Sequence, residues 1–353
     1  MLIRIALNRF IFALANIAFN TESVTVPMSS RAENSLRIFS GIHNYVDEFL
    51  NSGSRGRLLT MRNLSLALGG GGVRGAAHVG VLRALSEADL APKAIAGTSS
   101  GAIVAMLYAL KTSERFGGDT YQHIERIGAQ GYAELRLLFH PQLTRAVTLS
   151  DRLKVLAGWE RVIRGGVFGA GMVSQEVLRS NLIAMIGGAR FEDARLPLAF
   201  IAVDLLKGEK VALNSGSMLE AALASSAIPG VFPPVSIDGQ LLSDGHIVDN
   251  IPVDDARALI DDAFVLAVDI GDHSPPSVPK TALDVILRSA AISRDHLRRL
   301  SLARADMKLS FADITAGTFE YERSQELAQI GYERTLALIP ALRVALESAG
   351  SGV

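Results

Sequence analysis

The stretch LSLALGGGGVRGAAHVGVLRALSEADLAPKAIAGTSSGAIVAMLYAL, residues 64–110, decides the fold. Leu64 to Leu68 is a short apolar run ending in four glycines, the pattern of a buried strand. Residues 75–90 follow with helical spacing and carry charge only at Arg83, Glu87 and Asp89. Ala94 to Gly97 reads as a second strand. Ala102 to Leu110 is apolar all round, as expected of a helix buried inside a domain. Strand, helix, strand, helix at this spacing is a βαβα unit, which predicts a parallel sheet covered on both faces.

Composition bounds what such a domain can do. The chain has 353 residues, enough for one large or two ordinary domains, and 49 % of them are hydrophobic, which excludes disorder. Lys and Arg number 35 against 36 Asp and Glu, a balance that argues against nucleic-acid binding. No cysteine is present, so there is no disulfide framework, thiolate nucleophile or Cys zinc site. No His, Asp and Glu cluster has convincing metal-ligand spacing, and no metal or organic cofactor is expected.

No segment reaches the roughly 18–20 uninterrupted apolar residues of a transmembrane helix. Residues 1–20 come nearest, but Arg4, Asn8, Arg9 and Asn16 interrupt them. At about 100° per residue these positions and Asn20 share one arc of roughly 160°. The rest is Leu, Ile, Phe and Ala, so the segment reads as an amphipathic helix suited to a membrane surface. The expected location is cytoplasmic and peripheral on the membrane, with a signal peptide as the weaker alternative. Residues 21–62 read as a linker-like extension and 63–310 as the catalytic domain.

Within that domain, residues 111–188 are richer in charge, glycine and helix formers, and are expected to be a helical insertion over the sheet. Further strands are expected at Pro197 to Asp204, Lys210 to Leu213, Leu241 to Asp244 and Phe264 to Asp269. A helix over residues 217–227 stops at IPGVFPP. Longer helices are expected over Thr281 to Met307 and Ser324 to Ser348, with residues 311–353 packing on the domain as a C-terminal helical segment.

Two glycine motifs carry the chemistry. Gly70, Gly72 and Gly75 form G-x-G-x-x-G between a strand and a helix, so backbone N–H groups face outward at a helix N-terminus and make an anion site. The anion is either a dinucleotide pyrophosphate or the oxyanion of a tetrahedral acyl intermediate. A dinucleotide site wants an acid at the end of the next strand, and that strand ends in Gly97, Thr98 and Ser99 instead. A Walker A loop fails at Gly75, Ala76 and Ala77. Gly97, Thr98, Ser99, Ser100 and Gly101 form G-x-S-x-G, entered from a strand and left through a buried helix, as a nucleophile elbow requires. Gly97 and Gly101 permit the sharp turn that lifts the Ser99 hydroxyl above the sheet.

A serine hydroxyl needs a base. Late histidines are His246, His273 and His296. Asp244, ending LLSD and followed by Gly245, is the alternative, because the C-terminal ends of strands in parallel sheets carry chemistry. Asp204, Asp249 and Asp269 read as structural caps, and His78 as a structural helix histidine near the loop.

GGGGVRG, GTSSG and SDGH, in this order, resemble the patatin-like phospholipases, most nearly the bacterial branch related to neuropathy target esterase. The likeness extends through LALGGGGVRGAAHVGVLRAL and ASSAIPGVFPPV, with GYERTLALI similar to the family's closing helix. It implies a three-layer αβα patatin-like fold with a mainly parallel central sheet and a helical insertion. It implies a lipid acyl hydrolase working on phospholipid, lysophospholipid or another lipid ester. Ser99 then matches the nucleophile, Asp244 the base and Gly70, Gly71 and Gly72 the oxyanion loop, supported by Arg74 and Gly75. His246 departs from the family's usual Gly or Ala. It is expected to point away from the dyad, with crowding of the dyad, a hydrogen bond to Asp244 or help in proton transfer as the alternatives left open. A non-catalytic lipid- or nucleotide-binding module on the same fold is the rival reading.

Overall fold

Leu64, Leu66 and Leu68 alternate with Ser65 and Ala67 along a first strand that is buried on both faces. That pattern needs a helix layer on each side. The computed structural model describes residues 61–110, 169–172, 174–271 and 278–348. The chain divides into two units, Met1–Leu58 and Leu59–Val353, and every described residue lies in the second.

The βαβα expectation is met by β1 (Asn63–Leu68), α1 (Ala76–Glu87), β2 (Ala94–Thr98) and α2 (Ser100–Leu110). Next come α3 (Glu176–Ile186), β3 (Leu198–Asp204), β4 (Glu209–Leu213) and α4 (Met218–Ser225). They are followed by β5 (Val235–Ile237), β6 (Gln240–Asp244), α5 (Val253–Ala258), β7 (Ala263–Asp269), α6 (Ala282–Ala303), β8 (Met307–Ser310) and α7 (Ser324–Ser348). The strands form one eight-stranded sheet in the order β5-β6-β3-β2-β1-β7-β8, with β4 also paired to β3. Strands β3, β2, β1, β7 and β8 are mutually parallel. Strands β4 and β6 run antiparallel to β3, and β5 antiparallel to β6.

Two cores make the three layers. Leu64, Leu66 and Leu68 pack with Val79, Leu82 and Leu85 of α1 and Leu107 of α2. On the other face Ala67, Val265 and Ala267 pack with Val253 and Ala256 of α5. Helix α7 lies directly on α1. A Cβ added at Gly80 would sit 1.9 Å from the Ala328 carbonyl oxygen, and one at Gly331 2.1 Å from that of Ala77. The glycines bring the two backbones into contact, and any side chain there would force the helices apart.

Three expectations change. Strand β6 carries Asp244 into an antiparallel, not a parallel, pairing. The long helix stops at Ala303, and Met307 begins β8. Strands β5 and β8 have no counterpart in the sequence reading, because runs of three and four partly exposed residues show no usable periodicity. The amphipathic segment 1–20, residues 21–60 and residues 111–168 lie outside the described residues. Helix α3 belongs to the described end of the expected insertion.

Candidate active site

Strand β3 acts as the ruler of the site. One of its edges carries β4 along Phe200 to Asp204. The opposite edge is shared: β2 pairs with Leu198 to Ile201, and β6 pairs with Ala202 to Asp204. Thr98 lies opposite Ile201, so Ser99 comes level with Ala202. Asp244, the last residue of β6, pairs with that same Ala202. The two strands therefore meet end to end, and Ser99 and Asp244 stand at the junction.

The turn at the end of β2 is strained. Ser99 has φ +55° and is buried, while the other non-glycine residues with positive φ among the described residues are aspartates at 89, 238 and 262. A left-handed backbone costs an L-residue about 1–2 kcal/mol, and such strain collects at functional sites. The surroundings hold it in place. The Ser99 N–H donates to Ser225 Oγ at 2.9 Å, and that hydroxyl donates onward to the Ile201 carbonyl at 2.6 Å. Gly101 lets α2 start against β1, since a Cβ there would lie 2.2 Å from the Leu68 carbonyl oxygen. Gly97 likewise faces the backbone of Gly101 and Ala102 at 2.6 Å.

The glycine-rich loop passes over Ser99: a Cβ at Gly70 would be 3.0 Å from Ser99 Cβ. The three amides expected in an oxyanion hole differ. Gly70 N–H is committed to Asn250, to its backbone oxygen and to Oδ1, both at 3.2 Å. Gly71 N–H donates to Ser100 Oγ at 3.1 Å. Gly72 N–H makes no hydrogen bond among the described residues. Gly72 has φ +60° and lies against Thr318, whose Cγ2 would be 2.4 Å from an added Cβ. Arg74 is bonded to the loop. It is buried, its Nε donates to the Gly71 carbonyl at 3.1 Å, and its Nη1 donates to Ala316 at 3.4 Å. Gly75 allows the loop to press on Ser100, 2.6 Å from an added Cβ.

Asp244 is 1 % exposed. Its Oδ1 accepts from the His246 N–H at 2.9 Å and lies 3.1 Å from His246 Nδ1. Its Oδ2 has no hydrogen-bond partner among the described residues. The short 3-10 turn Gly245–Ile247 folds residue 246 back over the carboxylate, so His246 does not point away as expected. Gly245 permits that turn, because a Cβ there would lie 2.4 Å from the Ile201 carbonyl oxygen. Of the other late histidines, His296 is exposed on α6 and His273 lies outside the described residues.

Sequence reading missed the pair that ties these parts together. Thr98 Oγ1 donates to the Asp249 carbonyl at 2.9 Å, and Asn250 Nδ2 donates to the Gly70 carbonyl at 3.3 Å. Asn250 thus holds both the N–H and the C=O of Gly70, as a neighbouring strand would. Residues 249–250 link elbow, loop and the turn after Asp244. Only the fact that Asn250 follows the aspartate motif by a few residues could have hinted at this. The Asp249 carboxyl is buried and accepts from Ser301 Oγ at 2.9 Å and Lys210 Nζ at 3.2 Å. Burial pushes its pKa up, against the pull of Lys210. Asp204 caps Leu206 N–H, and Asp269 caps Gly271 N–H and pairs with Arg298, in line with structural roles. Asn250→Ala is expected to lower ester turnover by about tenfold, or ~1.4 kcal/mol, at nearly constant KM. Steady-state kinetics check this, and a change in KM alone would make Asn250 a wall of the binding site.

His78 is fully buried on α1, with Nε2 2.8 Å from the Gly69 carbonyl oxygen and Nδ1 without a partner. The carbonyl can only accept, so Nε2 carries the hydrogen. Burial lowers the His78 pKa from 6.5 to about 4, opposed by that hydrogen bond. The unfolded chain therefore binds a proton below about pH 6.5 that the folded chain refuses until about pH 4. Stability is expected to fall as pH drops through this window, by up to about 3 kcal/mol from this residue. His78→Gln keeps a donor for Gly69 and should remove about 2 kcal/mol of the difference between urea unfolding at about pH 7 and about pH 5. An unchanged pH dependence in the variant would refute the assignment.

Residues 66–257 match the model of the patatin-like phospholipase family. The chain belongs to that family. An uncharacterized NTE family protein of Mycobacterium tuberculosis is 31 % identical over 190 residues, covering 54 % of this chain and 44 % of the relative. Patatin-like phospholipase domain-containing protein 7 of Rattus norvegicus is 31 % identical over 219 residues, covering 62 % of this chain and 14 % of the relative. Lysophospholipase NTE1 of Pyricularia oryzae is 24 % identical over 315 residues, covering 81 % and 19 %. The chain thus spans less than half the length of these curated relatives. The patatin-like fold agrees with the mostly parallel sheet between two helical layers.

Proposed function

We propose that this patatin-like protein is a serine acyl hydrolase that cleaves carboxylic esters of lipids, phospholipid or lysophospholipid among them. The observation that carries the reading is the junction on β3, where the strained Ser99 and the buried Asp244, with one unpartnered oxygen, end two strands at one level. Ser99 Oγ attacks the ester carbonyl and Asp244 Oδ2 accepts its proton. The N–H groups of Gly71 and Gly72 donate to the oxyanion. The Ser100 hydroxyl that accepts from Gly71 can rotate and release it. Gly70, held by Asn250, positions the loop rather than donating. The departing alcohol takes the proton back from Asp244. Water, deprotonated by Asp244, then attacks the acyl-enzyme, freeing the fatty acid and Ser99.

His246 fixes Asp244 by holding Oδ1, which leaves Oδ2 for the serine. The amphipathic segment 1–20 is assigned to a peripheral membrane contact at the cytoplasmic side. No helix among the described residues is long and apolar enough to cross a membrane. The test is hydrolysis of a soluble short-chain ester and of phospholipid by the purified chain. Hydrolysis of neither would leave a non-catalytic lipid-binding module on the same fold.

A further inference from the structure

Helix α6 turns an apolar face to the outside. Ile286 is 64 % exposed and Ile292 56 %, and Val285, Leu297 and Leu300 are exposed with them. At about 100° per residue these five fall within one arc of roughly 140°. No Asp, Glu, Lys or Arg shares that arc, which also holds the exposed Ser289, Ser293 and His296. Arg288 and Arg299 border one side of it, and Arg294 lies beyond the other. The acids of the helix are already engaged: Asp284 in the N-terminal capping box, Asp295 with Arg298 and Arg299. Arg288 and Arg294 form no ion pair among the described residues.

The helix is held to the sheet near its C-terminal end. Arg298 Nη1 pairs with Asp269 Oδ2 at 2.5 Å, and Ser301 Oγ donates to Asp249 Oδ1 at 2.9 Å. Asp269 ends β7 at the sheet edge that carries the glycine loop, where Gly69 N–H bonds the Val268 carbonyl. From Arg298 back to Ala282 the helix continues for about 24 Å at ~1.5 Å per residue. Its exposed apolar face thus begins at the catalytic edge and extends away from it.

We infer that α6 docks this edge of the protein onto an anionic lipid surface. The inference rests on the lipid-hydrolase reading, which it deepens by naming the surface that meets the substrate phase. A mainly apolar arc, bordered on one side by Arg288 and Arg299 with Arg294 beyond the other, fits acyl chains below and anionic headgroups alongside. A second copy of the chain fits less well, since pairing two such faces brings arginine border against arginine border.

The test compares full-length protein with Ile286→Ser/Ile292→Ser and with Arg288→Gln/Arg294→Gln. Co-sedimentation is measured with vesicles of phosphatidylcholine plus phosphatidylglycerol and of phosphatidylcholine alone. Turnover of a soluble ester and sedimentation velocity are measured beside it. The isoleucine variant should bind mixed vesicles at least tenfold more weakly. The arginine variant should lose the preference for anionic vesicles. Both should keep soluble-ester turnover, because the changed side chains lie outside the site. Equal vesicle binding by wild type and isoleucine variant, or no binding by wild type, overturns the inference. A wild-type dimer that the isoleucine variant dissociates, with vesicle binding unchanged, assigns the face to a second copy. Absence of ester hydrolysis by wild type defeats the enzymatic reading alone, and vesicle binding through α6 still stands or falls by sedimentation.

Discussion

Ser99→Ala should lose ester hydrolysis by roughly 10³-fold or more while remaining folded, because the whole of the proposed covalent route passes through its hydroxyl. The substitution leaves the backbone at φ +55° and keeps the N–H bond to Ser225. It removes the proposed nucleophile without relieving the strain of the turn. Ser99→Gly removes both. It should be equally inactive yet more stable than Ser99→Ala by about 1 kcal/mol, the cost of a left-handed residue with a Cβ. Steady-state kinetics and urea unfolding of the two variants separate these effects. Substantial turnover in folded Ser99→Ala would falsify the nucleophile. Equal stabilities would mean that the turn is not strained in solution.

Asp244→Asn is expected to cost on the order of 10²–10⁴-fold in turnover, the usual worth of a general base. Stability should move the other way or not at all. The buried Oδ2 has no donor in the resting protein, and an amide in its place carries no charge to desolvate. The amide oxygen can still accept from the His246 N–H. Because serine and aspartate act as a unit, the double variant with Ser99→Ala should be little worse than either alone. His246→Ala is the control. It should stay within about tenfold of wild type, since the backbone N–H of residue 246 still holds Oδ1. A loss as deep as that of Asp244→Asn would make His246 part of the proton path and replace the dyad by a triad.

The parts of the candidate site are legible because their signals are local. A strand that runs into four glycines, and G-x-S-x-G between a strand and an apolar helix, each state a backbone requirement within a few residues. Asp244 was legible for a reason that turned out incomplete. It does end a strand beside Ser99, but β6 arrives from the opposite direction along β3. His246 lies over Asp244, not away from it, and the sequence does not choose between these placements because a 3-10 turn of three residues has no periodicity to read. Asn250, Ser225 and Ser100 went unnoticed as positioning groups, since each acts on a residue 29 to 180 positions away.

The sequence by itself determined the βαβα beginning, the elements around it and the residue types at the chemistry. Periodicity, glycine placement and helix starts depend on neighbours in the chain, and these features need no others. Tertiary structure alone decided which strands share the edge of β3, so that Ser99 and Asp244, 145 positions apart, meet at Ala202. It also decided which loop amides are occupied, and which side of α6 faces outward. Those outcomes depend on register and packing between distant segments, where a polar group's partner is whichever backbone the fold brings within hydrogen-bonding distance.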